Sequence, residues 1–546
     1  MRALAVLIFF LITSILSVSS QKLSQNRYWI PFTDKAGNGF SIAAPEEFLT
    51  NRAIQRRLTQ NIPIKSEDLP VSRVYVDSLR NLGFTILGTS KWFNAAIVES
   101  NDSLLIRLLE NISFVKSFNY QIPLRLSTSS NINNYFDKGA LAQLPNQSHY
   151  GFANKQISIL NGKPLHDLGY RGNNMIIAII DAGFYQADTI PAFDSLWLNN
   201  RIITWHDFGK PPYPDFFLGD SHGMSVLSTM GANLPGEFIG TSPDASFILL
   251  RSEVVAYESL IEEAWWLLAA EFADSCGADI INSSLGYSTF DDSTQNYSID
   301  NMDGKTALCT LAAEKAFSKG IIVVVSAGNE GNKEWRKISA PSDGENILSI
   351  GAIDTFNNHA AFSSYGPSAD KRIKPDIMAV GLRTTLTTSE GFTGSGNGTS
   401  FSAPQIAGMV ACLWQALPGK TNLELIDAIR RSSSQYYSPD SIYGYGVPDF
   451  FNAFNRLSSL PEYENDLLVI PNPTTGIFEI QLINPDEPVI KIYIYNAMGK
   501  NVAVINNPEI RSGYVRVYEL EKFEQGIYFI NVKTADKNFM AKIIKL

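Results

Sequence analysis

The chain has 546 residues, a length typical of several domains at roughly 100 to 200 residues each. Apolar residues make up 45% of it, which excludes wholesale disorder and a collagen-like structure. The 54 Asp and Glu residues outnumber the 44 Lys and Arg residues. The resulting net charge of −10, with no basic run, argues against a nucleic-acid partner.

The first residues have the pattern of an export signal. Arg2 supplies a positive charge, residues 3–16 are mostly apolar, and small residues follow at 18–20. The apolar run is shorter than the roughly 20 residues that a membrane anchor needs, and no later segment is long enough either. We therefore predict a signal peptide at residues 1–20 and no membrane span.

The three cysteines are Cys276, Cys309 and Cys412. An odd number at wide spacing predicts neither a disulfide framework nor a CxxC metal site. Cys412 lies in the apolar run 406–417, which favours a small buried thiol. The sequence leaves open whether Cys276 and Cys309 form a disulfide.

Residues 73–118 alternate between strand and helix patterns. Strands are predicted at 73–76, 84–87, 94–98 and 114–118, and helices at 78–82 and 103–109. This β-α-β-β-α-β order predicts a small split-βαβ domain of about 50 residues. We assign residues 21–145 to this N-terminal region. A polar stretch over 127–150, with the composition of a linker, spans its boundary with the next domain.

The central part of the chain, residues 146–457, alternates between continuous apolar runs and helical stretches. The predicted strands are 175–180, 247–250, 280–282, 321–325 and 347–350, and the predicted helices are 259–273, 307–319 and 402–417. Continuous apolar runs are typical of strands buried on both faces. The pattern predicts an α/β domain with a parallel sheet covered by helices on both faces.

After a short polar linker at residues 458–466, the pattern changes to strands separated by turn signals. The predicted strands are 477–482, 489–495, 502–505, 514–518, 527–532 and 541–544. This pattern predicts an all-β sandwich of about 80 residues at 467–546.

Four polar residues stand in turn-like contexts of the central domain. They are Asp181 in IIDAG, His222 in SHGMS, Asn329 in SAGNE and Ser400 in GTSFSAP. Ligands of parallel sheets bind beyond the carboxyl ends of the strands, so these residues are candidates for a shared site. Taken singly, Asp181 could cap a helix and His222 could be a packing residue.

Together, the order Asp, His, Asn and Ser with these flanking motifs resembles the subtilisin-like serine protease (subtilase) family, over about residues 154–455. The resemblance implies that Ser400 is the nucleophile, that His222 is its general base and that Asp181 orients the imidazole. It also implies that Asn329 donates a hydrogen bond to the oxyanion. A serine hydroxyl needs such a base because it is a poor nucleophile until its proton is removed.

By the same resemblance, the segment Ser284, Leu285 and Gly286 pairs with the main chain of a protein or peptide substrate. Selectivity must then come from side-chain pockets, for which Leu285 and Glu330 are candidates. Glu330 is either a contact for a basic substrate residue or a surface carboxylate without a role.

Departures from the family pattern leave an alternative open. Ala182 replaces the usual Ser or Thr, and Met224 and Ser225 replace the usual Thr-His. The alternative function is a catalytically silent subtilase scaffold that serves as a surface adhesin or binding module. A lipase or esterase is disfavoured because Ser400 lacks a G-x-S-x-G motif. Residues 231–240 lack the usual calcium loop, so we expect no metal site and no cofactor, with calcium the one possibility left open.

The flanking domains complete the prediction. Residues 73–120 resemble the subtilase propeptide, and the motifs PNPxxG at 471–476, YNxxG at 495–499, GIY at 526–528 and KIIK at 542–545 resemble a type IX secretion sorting domain. These resemblances imply a self-processing precursor, cleaved between residues 120 and 154. They also imply export through the periplasm by the type IX secretion machinery to the cell surface or medium.

Overall fold

The computed structural model describes residues 22–24, 26–116, 148–209, 215–458, 467–482, 491–506, 508, 514–517, 519–534 and 538–546. The predicted signal peptide, residues 117–147 and residues 459–466 lie outside the described residues. The chain divides into two compact units, one of Met1–Ala44 with Lys65–Arg125 and one of Pro45–Ile64 with Leu126–Leu546.

The elements of the N-terminal region are β1 (Lys22–Ser24), β2 (Arg27–Pro31), α1 (Asn51–Thr59), α2 (Arg73–Asn81), β3 (Thr85–Ser90), β4 (Ala95–Glu99) and α3 (Ser103–Leu108). The first unit contains an antiparallel sheet in the order β1-β2-β4-β3. Its core includes Ile30, Phe32, Leu79, Val98 and Ile106. Helix α1 lies within the second unit.

The predicted strand at residues 73–76 is wrong, because these residues begin helix α2. Val74, Tyr75 and Val76 favour a strand by intrinsic preference. Val76 and Leu79 are nevertheless buried three residues apart, on one helical face. The first strand of the split-βαβ order is instead β2. In place of the predicted last strand, Val115 forms a single antiparallel bridge with Phe32.

The second unit is built on a seven-stranded sheet. Its helices are α4 (Asn154–Ile159), α5 (Lys163–Asp167), α6 (Asp194–Leu198), α7 (His222–Gly231), α8 (Ile261–Cys276), α9 (Leu308–Ser318), α10 (Thr399–Ala416), α11 (Asn422–Arg431) and α12 (Phe450–Ser458). Its strands are β5 (Ile176–Asp181), β6 (Ile202–Asp207), β7 (Asn233–Leu234), β8 (Phe238–Ile239), β9 (Ser246–Arg251), β10 (Ile280–Ser283), β11 (Ile322–Ser326), β12 (Leu348–Ile353), β13 (Ile377–Val380), β14 (Thr384–Thr387) and β15 (Thr393–Gly396).

The sheet order is β13-β12-β11-β10-β5-β9-β6, and every neighbouring pair is parallel. The predicted parallel sheet flanked by helices is therefore confirmed. Strands β5 and β10 are neighbours, with Ile180 opposite Ser283, so Asp181 and Ser284 follow at the same edge. Every residue of α10 from Thr399 to Trp414 is buried. This packing holds the first turn of the helix in place.

The C-terminal region forms two antiparallel sheets. Its strands are β16 (Leu467–Ile470), β17 (Phe478–Leu482), β18 (Lys491–Asn496), β19 (Asn501–Asn506), β20 (Tyr514–Val517), β21 (Gly526–Lys533) and β22 (Asn538–Lys545). The sheets, β16-β17-β20 and β19-β18-β21-β22, share one core that includes Phe478, Ile492 and Ile530. The predicted β-sandwich is confirmed, with β16 as a strand that the sequence analysis missed.

The described residues bear on two further expectations, one about the cysteines and one about membrane spans. None of the three cysteines is in a disulfide, so no bond joins Cys276 to Cys309, and Cys412 is buried as predicted. No helix within the described ranges combines the length and the apolar character needed to cross a bilayer.

Candidate active site

Asp181 and His222 form a hydrogen-bonded pair at the carboxyl edge of the sheet. Asp181 ends β5 and is fully buried, and His222 begins α7. Nδ1 of His222 lies 2.7 Å from Oδ1 of Asp181. Gly223 allows this approach, since a Cβ there would lie 2.6 Å from the carbonyl oxygen of Gly183 and 2.9 Å from Cβ of Asp181. A Cβ at Gly183 would likewise lie 2.6 Å from the main-chain nitrogen of Asp220, so close packing explains the glycines of both the DAG and the SHG motif.

The environment of His222 raises the pKa of its imidazole above the usual 6.5. Burial is the largest influence and opposes the charged form, but the charge and hydrogen bond of Asp181, with the charge of Asp220, outweigh it. Asp220 also accepts a hydrogen bond from the main-chain N–H of His222 at 2.7 Å. The sequence analysis missed Asp220. His222 is therefore held in place by two hydrogen bonds, one from its ring to Asp181 and one from its main-chain N–H to Asp220.

Ser400 lies in the first turn of α10 and makes two hydrogen bonds with Ser284. Its hydroxyl donates to the main-chain oxygen of Ser284 at 3.3 Å, and the hydroxyl of Ser284 donates to the main-chain oxygen of Ser400 at 2.8 Å. The ring of His222 lies 5.7 Å from the ring of Phe401, the residue after Ser400. The structure thus brings the imidazole to the start of the helix that carries Ser400.

Asn329 approaches the same helix from the loop after β11. Its Oδ1 accepts hydrogen bonds from the main-chain N–H of Thr399 at 2.9 Å and from the Thr399 hydroxyl at 3.0 Å. Its Nδ2 lies toward Gly398, 3.6 Å from the position that a Cβ of that glycine would take. Because Thr399 donates two hydrogen bonds to the oxygen, the orientation of the carboxamide is fixed. The amide nitrogen then faces the first turn of α10, which contains Ser400.

The segment after β10 presents main-chain hydrogen-bonding groups. Leu285 is partly exposed and Gly286 is exposed. In the described part of the chain, the main-chain groups of Leu285 and Gly286 have no hydrogen-bond partner, whereas Tyr287 pairs with Ala340 in both directions. An unpaired edge of this kind can accept an extended peptide as an added strand.

The remaining candidate residues have structural or surface positions. Glu330 pairs with Lys333 at 2.9 Å, which favours its interpretation as a surface carboxylate. Met224 is fully buried, and the hydroxyl of Ser225 donates to the main-chain oxygen of Thr387 at 2.7 Å. The residues that depart from the family pattern after His222 therefore pack inside the domain.

Three carboxylates near this edge, those of Glu253, Glu258 and Glu262, have oxygens within 4.8 Å of one another. They form the one group within the described ranges that is close enough to share a cation. Burial raises the pKa of Glu253 and of Glu262 well above the usual value and raises that of Glu258 to about 7. Tyr287 donates to Glu253, and two backbone N–H groups donate to Glu262. Carboxyl groups this close to one another raise one another's pKa, because two negative charges in one buried place repel.

Comparison with known proteins identifies three regions of the chain. The sequence model of the subtilase family matches residues 172–446, that of the peptidase S8 propeptide domain of Bacteroidota matches residues 27–135, and that of the secretion system C-terminal sorting domain matches residues 468–546. The predicted propeptide and sorting domain are therefore confirmed. The sorting domain indicates a protein that is exported to the cell surface or the medium.

Curated relatives match the central region. Subtilisin NAT of Bacillus subtilis subsp. natto is 31% identical over 296 residues, which are 53% of this chain and 68% of the relative. Subtilisin of Bacillus pumilus is 30% identical over 296 residues, 53% of this chain and 94% of the relative. Serine protease AprX of Bacillus subtilis (strain 168) is 28% identical over 361 residues, 60% and 75% of the two chains.

The subtilase model covers about half of the chain. The matched region contains the parallel sheet, the hydrogen-bonded Asp181 and His222, and Ser400 at the start of a buried helix. The chain therefore belongs to the subtilase family of serine endopeptidases.

Proposed function

We propose that this secreted protease hydrolyses peptide bonds with Ser400 as nucleophile, His222 as general base and Asp181 as the carboxylate that orients the imidazole. The observation that carries the proposal is the 2.7 Å hydrogen bond between Asp181 and His222. That bond leaves Nε2 of His222 as the proton acceptor and raises the pKa of the ring. A raised pKa makes the imidazole a stronger base once it is neutral.

In the proposed reaction, Nε2 of His222 takes the proton of the Ser400 hydroxyl as Oγ attacks the substrate carbonyl carbon. To do so, Oγ exchanges its 3.3 Å hydrogen bond with Ser284 for one with the imidazole. The imidazolium then gives the proton to the leaving amine as the C–N bond breaks, which leaves an acyl group on Oγ. A water molecule, deprotonated by His222, attacks the acyl carbon and releases the carboxylate product and the serine.

Two donors would stabilise the negative oxygen of the tetrahedral intermediate. One is the main-chain N–H of Ser400, which lies in the first turn of α10 where N–H groups have no intrahelical acceptor. The other is Nδ2 of Asn329, whose carboxamide oxygen is held by Thr399. Donors fixed before the reaction need no reorganisation when the charge develops.

The substrate would bind as an added strand along Ser284, Leu285 and Gly286. The unpaired main-chain groups of Leu285 and Gly286 support this role, because they can pair with any peptide sequence. Ser284 would also couple the bound strand to the nucleophile through its two hydrogen bonds with Ser400. Such main-chain recognition suits an endopeptidase that acts on protein substrates.

We further propose that the precursor removes its own N-terminal region. The test compares intact masses of the secreted wild type and of Ser400→Ala, produced in a host with type IX export. We expect the wild type to lose the mass of the N-terminal segment and Ser400→Ala to keep it. Ser293→Ala, at an exposed serine of the same domain, serves as the matched control and should be processed like the wild type.

Equal trimming of wild type and Ser400→Ala would assign the cut to another protease. Hydrolysis of an unfolded protein substrate then decides between the protease and the silent scaffold. Undiminished hydrolysis by Ser400→Ala would exclude Ser400 as the nucleophile, and no hydrolysis by either protein would favour the scaffold.

A further inference from the structure

The two sheets of the C-terminal region have different surroundings, although both belong to the second unit. The sheet β16-β17-β20 lies against the protease domain, because β16 contacts α12 and Glu479 of β17 pairs with Arg456 of α12. The other sheet, β19-β18-β21-β22, covers the opposite side of the shared core. Its outer side therefore faces away from both the core and the protease domain.

Strand alternation decides which side chains of this sheet lie on its outer side. In β18 and β21, Ile492 and Ile530 point into the core, so their neighbours along each strand point outward. The cross-strand pairs agree, because Tyr495 lies opposite Phe529, which lies opposite Lys542 of β22. We call the outward side chains of β18, β21 and β22 the outer face. Its apolar members are Tyr493, Tyr495, Ile527, Phe529, Met540 and Ile544.

The outer face exposes apolar side chains on adjacent strands. Ile527 of β21 is 44% exposed, and Met540 of β22 is 52% exposed. On β18, the rings of Tyr493 and Tyr495 stack with their centroids 6.3 Å apart. Contiguous apolar surface of this kind marks interaction sites, and Tyr and Met are enriched at protein–protein interfaces. The outer face thus has the composition of a docking surface.

The charge of the outer face is opposite to that of the whole chain. Lys491, Lys533 and Lys542 belong to this face, and the four strands of the sheet contain no Asp or Glu. The chain as a whole has a net charge of −10. Because complementary charge guides association and suppresses wrong partners, the outer face favours a partner that presents carboxylates.

The motif KIIK at residues 542–545 is divided between the core and the outer face. Lys545 is 8% exposed, and its Nζ donates hydrogen bonds to the main-chain oxygens of Glu521, at 3.2 Å, and of Phe523. Ile543 lies in the core. Lys542 is exposed, and its side chain belongs to the outer face. The two lysines of the motif therefore differ, because Lys545 stabilises the domain whereas Lys542 is placed to meet a partner.

Two physical arguments select the class of partner. A second copy of this chain is disfavoured, because two outer faces would bring two sets of lysines together. A lipid surface is disfavoured because the central strands carry the hydroxyl groups of Tyr493 and Tyr495 and the carboxamide of Asn531, which would lose hydrogen bonds in an apolar layer. Oδ1 of Asn531 is buried without a partner among the described residues, so it can still accept a hydrogen bond. A protein surface supplies both carboxylates and hydrogen-bond donors.

We propose that the outer face is a docking surface for an acidic protein that the chain meets during export. Carboxylates of this partner pair with the three lysines, and its apolar side chains cover Tyr495 and Phe529. The context is the match of residues 468–546 to a secretion sorting domain. This inference is independent of the residues proposed for catalysis.

The binding test uses the full chain with Ser400→Ala, which avoids self-digestion. The probe is a fluorescent random copolymer of glutamate and tyrosine, and anisotropy titrations give its Kd. Lys533→Glu with Lys542→Glu should raise Kd by roughly 10-fold or more, because pairs of exposed charges that attract become pairs that repel. Lys305→Glu with Lys522→Glu makes the same change in net charge at exposed positions outside the outer face and should leave Kd unchanged.

The export test uses the same variants in a host with type IX export. We expect Lys533→Glu with Lys542→Glu to accumulate in the periplasm, whereas Lys305→Glu with Lys522→Glu should reach the surface or the medium like its parent. Equal thermal unfolding of the purified variants shows that the substitutions leave the domain folded.

The proposal is overturned if Lys533→Glu with Lys542→Glu binds the copolymer as tightly as the control pair, or is exported as completely. Tighter binding to phosphatidylglycerol vesicles than to the copolymer would assign the outer face to a lipid surface instead. Sedimentation of the parent as a dimer that Lys533→Glu with Lys542→Glu abolishes would assign it to a second copy.

Discussion

Ser284 supplies the hydrogen bond that Pro404 denies to Ser400. Pro404 lies inside α10, four residues after Ser400, and has no N–H to donate to the Ser400 carbonyl. The hydroxyl of Ser284 donates to that carbonyl oxygen at 2.8 Å, and the hydroxyl of Ser400 donates to the Ser284 oxygen at 3.3 Å. The edge that would bind substrate is thereby fixed against the turn that carries the proposed nucleophile.

Replacing Ser284 by Ala should destabilise the protein, because it leaves the buried carbonyl of Ser400 without a donor. An unsatisfied buried acceptor costs about 1–3 kcal/mol, and we expect the free energy of unfolding to fall by that amount. Denaturant unfolding of Ser400→Ala, with and without the second change, measures it and avoids self-digestion. Ser293→Ala should have no effect, and an unchanged midpoint in Ser284→Ala would show that this hydrogen bond does not stabilise the fold.

The pH profile of hydrolysis should report the pair of Asp181 and His222. His222 acts as a base only when neutral, so kcat/KM should fall as the pH drops through its pKa, which lies above 6.5. Asp181→Asn removes the attraction between the carboxylate and the imidazolium but leaves the burial that lowers the pKa of His222. The fall of kcat/KM on the acidic side of the profile should therefore move to lower pH. The turnover should fall by about 10⁴-fold, since the imidazole loses its orienting carboxylate.

Initial rates on a peptide substrate from pH 4.5 to 9 provide the measurement. Asp188→Asn, at an exposed aspartate on the loop after Asp181, is the control and should keep the wild-type profile. An acidic limb that stays in place in Asp181→Asn would exclude Asp181 as the cause of the raised pKa.

Asn329→Ala should lower kcat by roughly 10²- to 10³-fold with little change in KM. The physical reason is that the amide nitrogen would bind the oxyanion, which exists in the transition state and not in the bound substrate. Steady-state kinetics separates the two constants. A rise in KM at constant kcat would instead indicate a role in substrate binding alone.

How far the sequence predicts this protein depends on whether the signal is local. Strand β5 was predicted because a continuous apolar run ends in a polar turn, and Asp181, His222 and Ser400 because short motifs surround them. Edge strand β6 was missed because Ile203 and Trp205 are exposed and its pattern is half polar. The second half of α2 was predicted as the helix at 78–82, whereas its first residues were assigned to a strand because Val74, Tyr75 and Val76 favour a strand by local preference.

The environment of α1 could not have been predicted from its own residues. Its sequence NRAIQRRLT reads as polar and solvent-exposed. Arg57 is nevertheless buried and donates a hydrogen bond to Asp274, which lies 217 positions away in the chain. No periodic pattern in the sequence predicts a pair at that separation. The same holds for Ser284 and Ser400, which are 116 positions apart.

His166 should make the protein less stable in mild acid. It is buried, accepts a hydrogen bond from Tyr150 and donates one to the Thr241 carbonyl, and burial lowers its pKa to about 4. The unfolded chain takes up a proton below about pH 6.5, whereas the folded protein does not do so until about pH 4. Stability is therefore present above pH 6.5 and is lost as the pH falls toward 4, by roughly 3 kcal/mol.

The comparison that tests this uses unfolding of Ser400→Ala at pH 5 and pH 7.5. His166→Gln should flatten the difference between the two pH values, whereas His149→Gln, at an exposed histidine, should retain it. If all three proteins lose the same free energy of unfolding between pH 7.5 and pH 5, groups other than His166 cause the acid sensitivity.

Glu258 should produce the opposite dependence. Burial and the charges of Asp291 and Glu263 raise its pKa to about 7, so the folded protein holds a proton that the unfolded chain releases near pH 4.5. Its contribution is present below pH 4.5 and is lost as the pH rises through 7. Glu258→Gln imitates the protonated form, so the variant should be more stable than its parent by roughly 3 kcal/mol at pH 8 and by less than about 1 kcal/mol at pH 5.

The same variant tests whether protons or a cation balance the cluster of Glu253, Glu258 and Glu262. If protons do so, EDTA should leave the Tm of the parent at pH 8 unchanged, and Glu345→Gln at an exposed position should not reproduce the gain in stability. If calcium binds there, EDTA should lower the Tm of the parent, and Glu258→Gln should destabilise it by removing a ligand oxygen. The sign of the effect of Glu258→Gln at pH 8 therefore decides which positive charge this edge of the sheet holds.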